Sequence, residues 1–495
     1  MTNGYFANPY GFVPLSVKLR VKGPTREATS PEFATSPQLL DLSNWSASEF
    51  QARLVVHFTT VSPLLNLEVV RERDKENERQ PAEFKVRRDG DGQPVVTGSA
   101  LRGLVRSVYE QISGSSFGVF SSKHEEKLSY KQWNKQTRSL DACDFDKSPW
   151  ELTPTLFRPA TDKLSSADVV FGWVPGSDKD ERGVRSRVRF GGVRCIREDL
   201  ATPTIIEGGP WGLAILSSPK PQSGRFYLVD TQTGEPLDGT AKPLFYSKGQ
   251  RIAGHKVYPH HRVPDGYWEF PDHWNSADSG ANHPQVGGHY QNFLAPTAVI
   301  SGSADQSITI SEYVPIGVSF ETTVFIEGLT YLELAMLLWA ITLGDVTGEE
   351  ERYHRLGRGR PLGFGSIKMK VDWTKSQIWT ADQWLARYCG AVVSAETQVK
   401  EIAKKMVDQA TTALKEDSAV YNAIIRAAEG IELPIHYPRL GSSAQEAAPS
   451  QTSYEWFNAN DRGRRLGLPR LGAGSQALPN QPGNGAGNNR GQGRR

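Results

Sequence analysis

Arg53 to Val61 reads RLVVHFTTV, a β-branched and aromatic run closed by Ser62-Pro63, and predicts a core strand ended by a breaker. Glu68 to Gly92 is rich in Arg, Glu and Asp with no apolar period, which predicts an exposed loop. From Gly98 onward Leu101, Leu104, Val105 and Val108 recur at helical spacing, leaving Ser99, Arg102 and Arg106 on the opposite face. Ser186 to Ile196 alternates Val188, Phe190 and Val193 with Arg187, Arg189 and Arg194, and Gly191-Gly192 interrupts the alternation as a bulge would. Trp211 to Ser217 and Arg225 to Asp230 read as short strands, Ser276 to Gly302 as a long loop, and Ile308 to Ile326 as strand. Thr330 to Leu343 is apolar on most faces and predicts a buried helix, followed by a strand over Ser366 to Trp373 and helices within Ala381 to Glu429.

This order of strand, helix, strands, helix and strand predicts an α+β fold of ferredoxin-like (RRM-related) βαββαβ units with long insertions and a helical C-terminal region. The boundaries that follow are a core over 1–380 with an inserted His/aromatic region near 240–305, helices over 381–440, and a tail over 441–495. From Asp461 the tail is almost wholly Gly, Pro, Asn, Gln and Arg, a composition that predicts disorder, with Tyr454 to Phe457 as an aromatic anchor before it.

Composition narrows the chemistry. Of 495 residues, 57 are basic and 55 acidic, so the net charge of +2 gives no global attraction for a polyanion and local clusters must supply it. Cys143, Cys195 and Cys389 have neither zinc-ligand nor disulfide spacing. No secretory pattern opens the chain, and the longest apolar run, Leu332 to Leu343, is too short for a bilayer, so the expectation is a cytoplasmic protein with no membrane contact, no metal and no cofactor.

The densest feature is Arg355 to Gly365 (RLGRGRPLGFG), with four glycines and three arginines in eleven residues between the buried helix and a strand. Glycines at this density permit positive φ and close approach, and arginine offers forked donors to phosphate. Two other readings fit the same residues. One is a mononucleotide cradle, although the strand-then-helix order and the Lys-Ser/Thr of such loops are missing. The other is a tight turn with solvated arginines. Gly98-Ser99 followed by Arg102 and Arg106 makes a second anion candidate at a helix start, or Ser99 is a plain N-cap. Arg182, Arg185, Arg187, Arg189 and Arg194 make a basic run near Phe190 and Trp173, suited to single-stranded nucleic acid or to a charged edge strand. His255, His260, His261, His273, His283 and His289 crowd one stretch without metal-ligand spacing. RNA cleavage by 2′-OH attack would use His255 with Lys256, or His260, as general base.

The segments Gly98 to Gly103 (GSALRG) and Gly357 to Gly365 (GRGRPLGFG) look like the two most recognisable motifs of the RAMP superfamily of CRISPR-associated proteins. Asn8 to Leu15 (NPYGFVPL), Ala167 to Pro175 (ADVVFGWVP), Gly254 to His261 (GHKVYPHH) and Tyr454 to Phe457 (YEWF) resemble a type III branch of it. The resemblance runs from the N-terminus to about residue 457. It implies ferredoxin-like cores, guide RNA and other effector subunits as partners, and a role in antiviral defence. Carried over by position, Gly357, Gly359, Gly363 and Gly365 would contact RNA backbone, with Ser99, Arg102 and Arg106 facing it from the start of the first helix; to these, local chemistry adds Arg358 and Arg360 of the loop and Arg187 and Arg189 of the basic run as RNA-binding candidates. Some subunits of this group cut target RNA with an acidic residue after the first strand. That region holds Asp74, Asp89 and Asp91, and no motif selects one. The alternatives are a metal-independent endoribonuclease that matures guide RNA and a scaffold that binds only protein.

Overall fold

The computed structural model describes residues 4–15, 49–72, 81–118, 125–134, 136–158, 164–174, 183–196, 204–205, 210–216, 220–269, 283–295, 308–391, 398–442, 446–449 and 453–483. Its central sheet and covering helices are, in chain order, β1 (Glu49–Thr60), α1 (Gly98–Ile112), α2 (Ser166–Phe171), β2 (Val188–Phe190), β3 (Arg194–Cys195), β4 (Ser319–Thr330), α3 (Tyr331–Thr342), β5 (His354–Arg355) and β6 (Ser366–Thr380). Three further helices follow, α4 (Ala381–Tyr388), α5 (Val399–Lys415) and α6 (Ser418–Glu429).

Strand β1 is central, with β6 antiparallel on one edge and β4 antiparallel on the other. Outside β4 lie β2 and β3, and outside β6 lies β5. Across the sheet the order is therefore β6, β1, β4, β2 for the four strands that frame α1 and α3. The fold is α+β, as the hydrophobic pattern predicts.

Period-two alternation explains the two faces of this sheet. Leu54, Val56 and Phe58 of β1 are buried beside Phe320, Val324 and Ile326 of β4 and Met369 and Val371 of β6. Phe58 pairs in register with both Phe320 and Met369 and stacks on Phe320 at 4.9 Å. Helix α1 covers this face with Leu101, Val105, Tyr109 and Ile112. Each such side chain, fully buried, contributes about 1.5–3 kcal/mol. Helix α3 starts at a capping box in which Thr330 Oγ1 accepts from the Glu333 amide and the Glu333 carboxylate accepts from the Thr330 amide. It is apolar nearly all round because α5 packs against its outer side, where Trp339 Nε1 donates to Thr411 Oγ1 at 3.0 Å. The opposite face of the sheet carries Arg53, His57 and Thr59 of β1, Phe325 of β4 and Lys370 of β6. Between β2 and β3 the chain takes one residue more than β4 does opposite it, so Gly191-Gly192 sits in a bulge.

Glu68 to Gly92 departs from its expected loop. Leu67–Arg71 and Ala82–Val86 pair as antiparallel strands, and Ala82–Val86 pairs in parallel with Ile308–Ile310, which continues to Trp211–Gly212. The period was masked because these strands are for the most part only half-buried and carry charges that pair across them, as Glu68 and Lys85 do at 3.4 Å. Strand structure in the next two segments is limited to Trp211–Gly212 and Leu228–Asp230. Most of 276–302 lies outside the described residues, although Gln285–Val286 and His289–Tyr290 form a small hairpin.

Over 453–483 the C-terminal stretch also departs from expectation, while 484–495, read with it as disordered, lie outside the described residues. Ser453–Arg462 is helical (α7), and Ala477–Pro479 pairs with Tyr5–Ala7 near the N-terminus. Trp456 is fully buried, in edge contact with Phe6 at 6.0 Å and Phe226 at 6.1 Å, and its Nε1 donates to Pro479 O at 2.9 Å. Leu468, Leu471 and Leu478 are buried as well. A Gly/Pro/Asn-rich segment needs only a few such anchors when a preformed surface receives them. Among the described residues no helix is long and apolar enough to cross a membrane.

Candidate nucleic-acid interface

Strand β1 ends at Ser62-Pro63, and that corner holds the Gly/Arg loop. Ser62 Oγ donates to Gly363 O at 2.9 Å and accepts from the Ser366 amide at 2.9 Å, while the Gly365 amide donates to Pro63 O at 2.8 Å. The loop leaves β5, makes a 3₁₀ turn at Arg360–Leu362 and returns into β6. Its four glycines all have positive φ, between +69° and +97°. At Gly363, with φ +97°, a Cβ would lie 2.8 Å from His261 Nδ1 and 2.9 Å from Trp268, so this glycine serves packing.

The loop's amides are mostly spent inside the protein. Those of Leu356, Arg358, Leu362, Gly363 and Gly365 donate to Gly365, Leu65, Gly359, Arg360 and Pro63 carbonyls. The side chains are what the loop presents. Arg355 is a staple: Nη1 donates to Gly363 O at 3.1 Å and to Ser366 Oγ, and Nη2 donates to Arg360 O at 2.7 Å. Burial lowers its pKa to about 9, with Arg360 adding repulsion. Arg358 and Arg360 are exposed, lying over Phe84 at 5.4 Å and over Tyr258 at 5.1 Å. None of the three arginines has a carboxylate partner among the described residues.

Of the other arginine candidates, those described are committed to partners within the protein, with the exception of Arg189. The cap of α1 is Thr97, whose hydroxyl accepts from the Ala100 amide at 3.2 Å; Ser99 is exposed and donates to Thr97 Oγ1. Gly98 is needed because a Cβ there would lie 2.5 Å from Gly191 O, so this helix start abuts backbone carbonyls and is not an open anion seat. Arg102 donates to Phe171 O. Arg106 donates to Gly172 O at 3.0 Å and pairs with Asp168 at 3.0 Å and Glu110 at 2.7 Å. Both cap the carbonyl end of α2, where the helix dipole favours cations, and so leave the face expected of them. Arg187 donates to Gly328 O beside Glu49, Arg185 pairs with Glu327 at 2.6 Å and Arg194 with Glu321 at 2.5 Å. Arg189 is exposed over Phe325 at 4.2 Å.

Of the acid and base candidates, the histidines are interior rings and the described aspartates lie in one exposed turn. His255 is buried against Phe117 at 4.5 Å, and burial takes its pKa to about 4. His260 is buried with Nδ1 2.7 Å from Ser366 Oγ, and burial with Arg355 and Arg262 takes it to about 3. Asp89 accepts from the Asp91 and Gln93 amides at 3.0 and 2.8 Å, a self-capped turn, and Asp91 is exposed. Asp74, Arg182 and His273 lie outside the described residues. One group escaped the sequence reading: His57 Nε2 and Glu321 Oε2 are 2.9 Å apart on the outer sheet face, joining segments 264 residues apart. Lys256, read from the sequence as a partner of His255, lies on the strand His255–Val257 that pairs with Gly11–Val13, and Tyr258 just after it is the ring under Arg360.

A family model described as the RAMP superfamily matches residues 57–368. Among solved structures, similar chains include one from a type IV-B CRISPR complex, with 15% identity over 65% of this chain and 91% of that chain and a TM-score of 0.27. Csc2 of Thermofilum pendens shares 10% identity over 79% of this chain and 87% of its own, with a TM-score of 0.25. Oligomeric Cmr4 of Pyrococcus furiosus shares 11% over 65% and 97%, with a TM-score of 0.22. No curated protein matches the chain.

Gly363→Val should destabilise the fold by about 2 to 4 kcal/mol in chemical denaturation, from strained φ and overpacking, whereas Arg358→Ala should stay within about 0.5 kcal/mol of wild type. The buried, neutral His255, His260, His283 and His354 also make stability depend on pH. Their folded pKa values, about 3 to 4, lie below the ordinary 6.5, so the unfolded chain binds more protons and stability falls as pH drops from about 6.5 toward about 4. The urea midpoint followed across that window should decline steadily; a flat profile would contradict burial of these rings in neutral form.

Proposed function

The chain belongs to the RAMP superfamily, and on that premise we propose that it is an RNA-binding subunit of a type III CRISPR effector ribonucleoprotein, holding guide RNA in antiviral defence. The observation that carries this reading is the Gly/Arg loop, where Arg355, Arg358 and Arg360 stand together with no carboxylate partner among the described residues while the arginines of α1 are consumed by α2. Holding like charges together in a partly dehydrated loop is costly, and a sugar-phosphate chain offsets that cost. Strand order β6, β1, β4, β2 with α1 and α3 on one face favours a ferredoxin-like unit as the core. Other effector subunits and, in the cytoplasm, guide RNA are the partners this role requires. The loop anchored by Ser62 presents arginine side chains, and its glycines shape the turn.

Single-stranded RNA binding followed by fluorescence anisotropy over a salt series should give a log K that falls with log salt by about 0.7 per neutralised phosphate. Arg358→Ala should flatten that slope by about 0.7 unit without loss of fold. Absent or salt-insensitive binding by the wild-type chain would overturn the reading.

A further inference from the structure

Two segments that the sequence singles out, Asn8 to Leu15 and Gly254 to His261, meet in the fold as paired strands, Lys256 standing opposite Phe12. This pairing brings Lys256 Nζ to 3.9 Å from the centre of the Tyr10 ring and 5.5 Å from that of Tyr258. Tyr258 is also the ring beneath Arg360, at 5.1 Å. Two cations from different segments thus share one aromatic ring, and neither has a carboxylate partner among the described residues. Around them stand Tyr227 and Tyr437, with ring centroids 6.0 and 6.4 Å from Tyr10. Burial raises the pKa of Tyr10, Tyr258 and Tyr437, so these phenols remain O–H donors.

We propose that Lys256 and Arg360, framed by Tyr10 and Tyr258, form a phosphate seat that takes a backbone phosphate of the bound RNA next to the one engaged by Arg358. The inference rests on the RNA-binding reading and adds to it a site built from the N-terminal strand. The charge arrangement is incomplete as it stands. The cation–π contacts do not cancel the repulsion between Lys256 and Arg360; burial lowers the Lys256 pKa, and Arg360 lowers it further. An anion between the two turns that repulsion into two charge-assisted hydrogen bonds. Phosphate fits better than a carboxylate because its charge is spread over several oxygens, matching one ammonium and one guanidinium.

The test uses the full chain in two assays. In the RNA salt series, Lys256→Gln and Arg360→Gln should each flatten the log K against log salt slope by about 0.7 unit, Lys256→Arg should restore it, and Lys404→Gln on α5 should not change it. In thermal unfolding, pyrophosphate should raise the wild-type midpoint above that in sodium chloride of equal ionic strength, and Lys256→Gln should abolish the rise. A steep slope that Lys256→Gln leaves intact would overturn the seat while RNA binding stands. A pyrophosphate shift lost in Lys256→Gln, with no RNA binding by wild type, would keep the seat and remove the RNA-binding reading alone; neither effect would remove both. A shift with a polyglutamate peptide and none with pyrophosphate would give the surface to an acidic protein segment and overturn the proposal.

Discussion

Strand β1 is hydrogen-bonded on both edges to strands that arrive late in the chain, with Thr59 and Ser319, 260 residues apart, touching across one edge at 2.9 Å. That pairing closes the core, because it sets Phe58 against Phe320 and Met369 and offers one apolar face to α1 and α3. It also fixes the loop. The strand runs out at Ser62-Pro63, and the Ser62 hydroxyl bridges Gly363 and Ser366, so the position of Arg358 and Arg360 is set by the register of β1 against β6. A one-residue slip would turn every apolar side chain of β1 to the wrong face and release the loop as well.

From this frame follows a division of labour among arginines of similar appearance. Arg102 and Arg106 close the carbonyl end of α2 and pair with Glu110 and Asp168. Arg185 and Arg194 lie against glutamates of β4. Arg355 is spent on the loop's own carbonyls, which leaves Arg358 and Arg360 as its outward charges. With a net charge of +2 the chain has no global field for a polyanion, so in the RNA-binding reading proposed above the attraction falls to a few cations placed without counter-charges among the described residues.

Much of the core was legible because its elements obey simple periods. β1, α1, α3 and β6 announce themselves by alternation or helical spacing, and the Gly/Arg segment by composition. What stayed hidden depends on distant partners. Spacing places Arg106 on a polar helix face but cannot show that Asp168, 62 residues on, is there to meet it. The strands Leu67–Arg71 and Ala82–Val86 have too little buried surface to print a period. Residues 462–483 have few apolar side chains, and Leu468 and Leu478 pack in one cluster with Phe6 and Phe226, far away in sequence. The crowded histidines were visible as a cluster, yet only the fold shows that His255, His260 and His261 are interior rings.

The most direct measurement of where RNA lies is ultraviolet cross-linking of 4-thiouridine RNA to the full chain, followed by mapping of the linked peptides. RNA held at the Gly/Arg loop predicts links to peptides spanning 255–262 and 355–365. Links confined to the α1 segment around Ser99 and Arg106, or to the strand around Arg189, would contradict it.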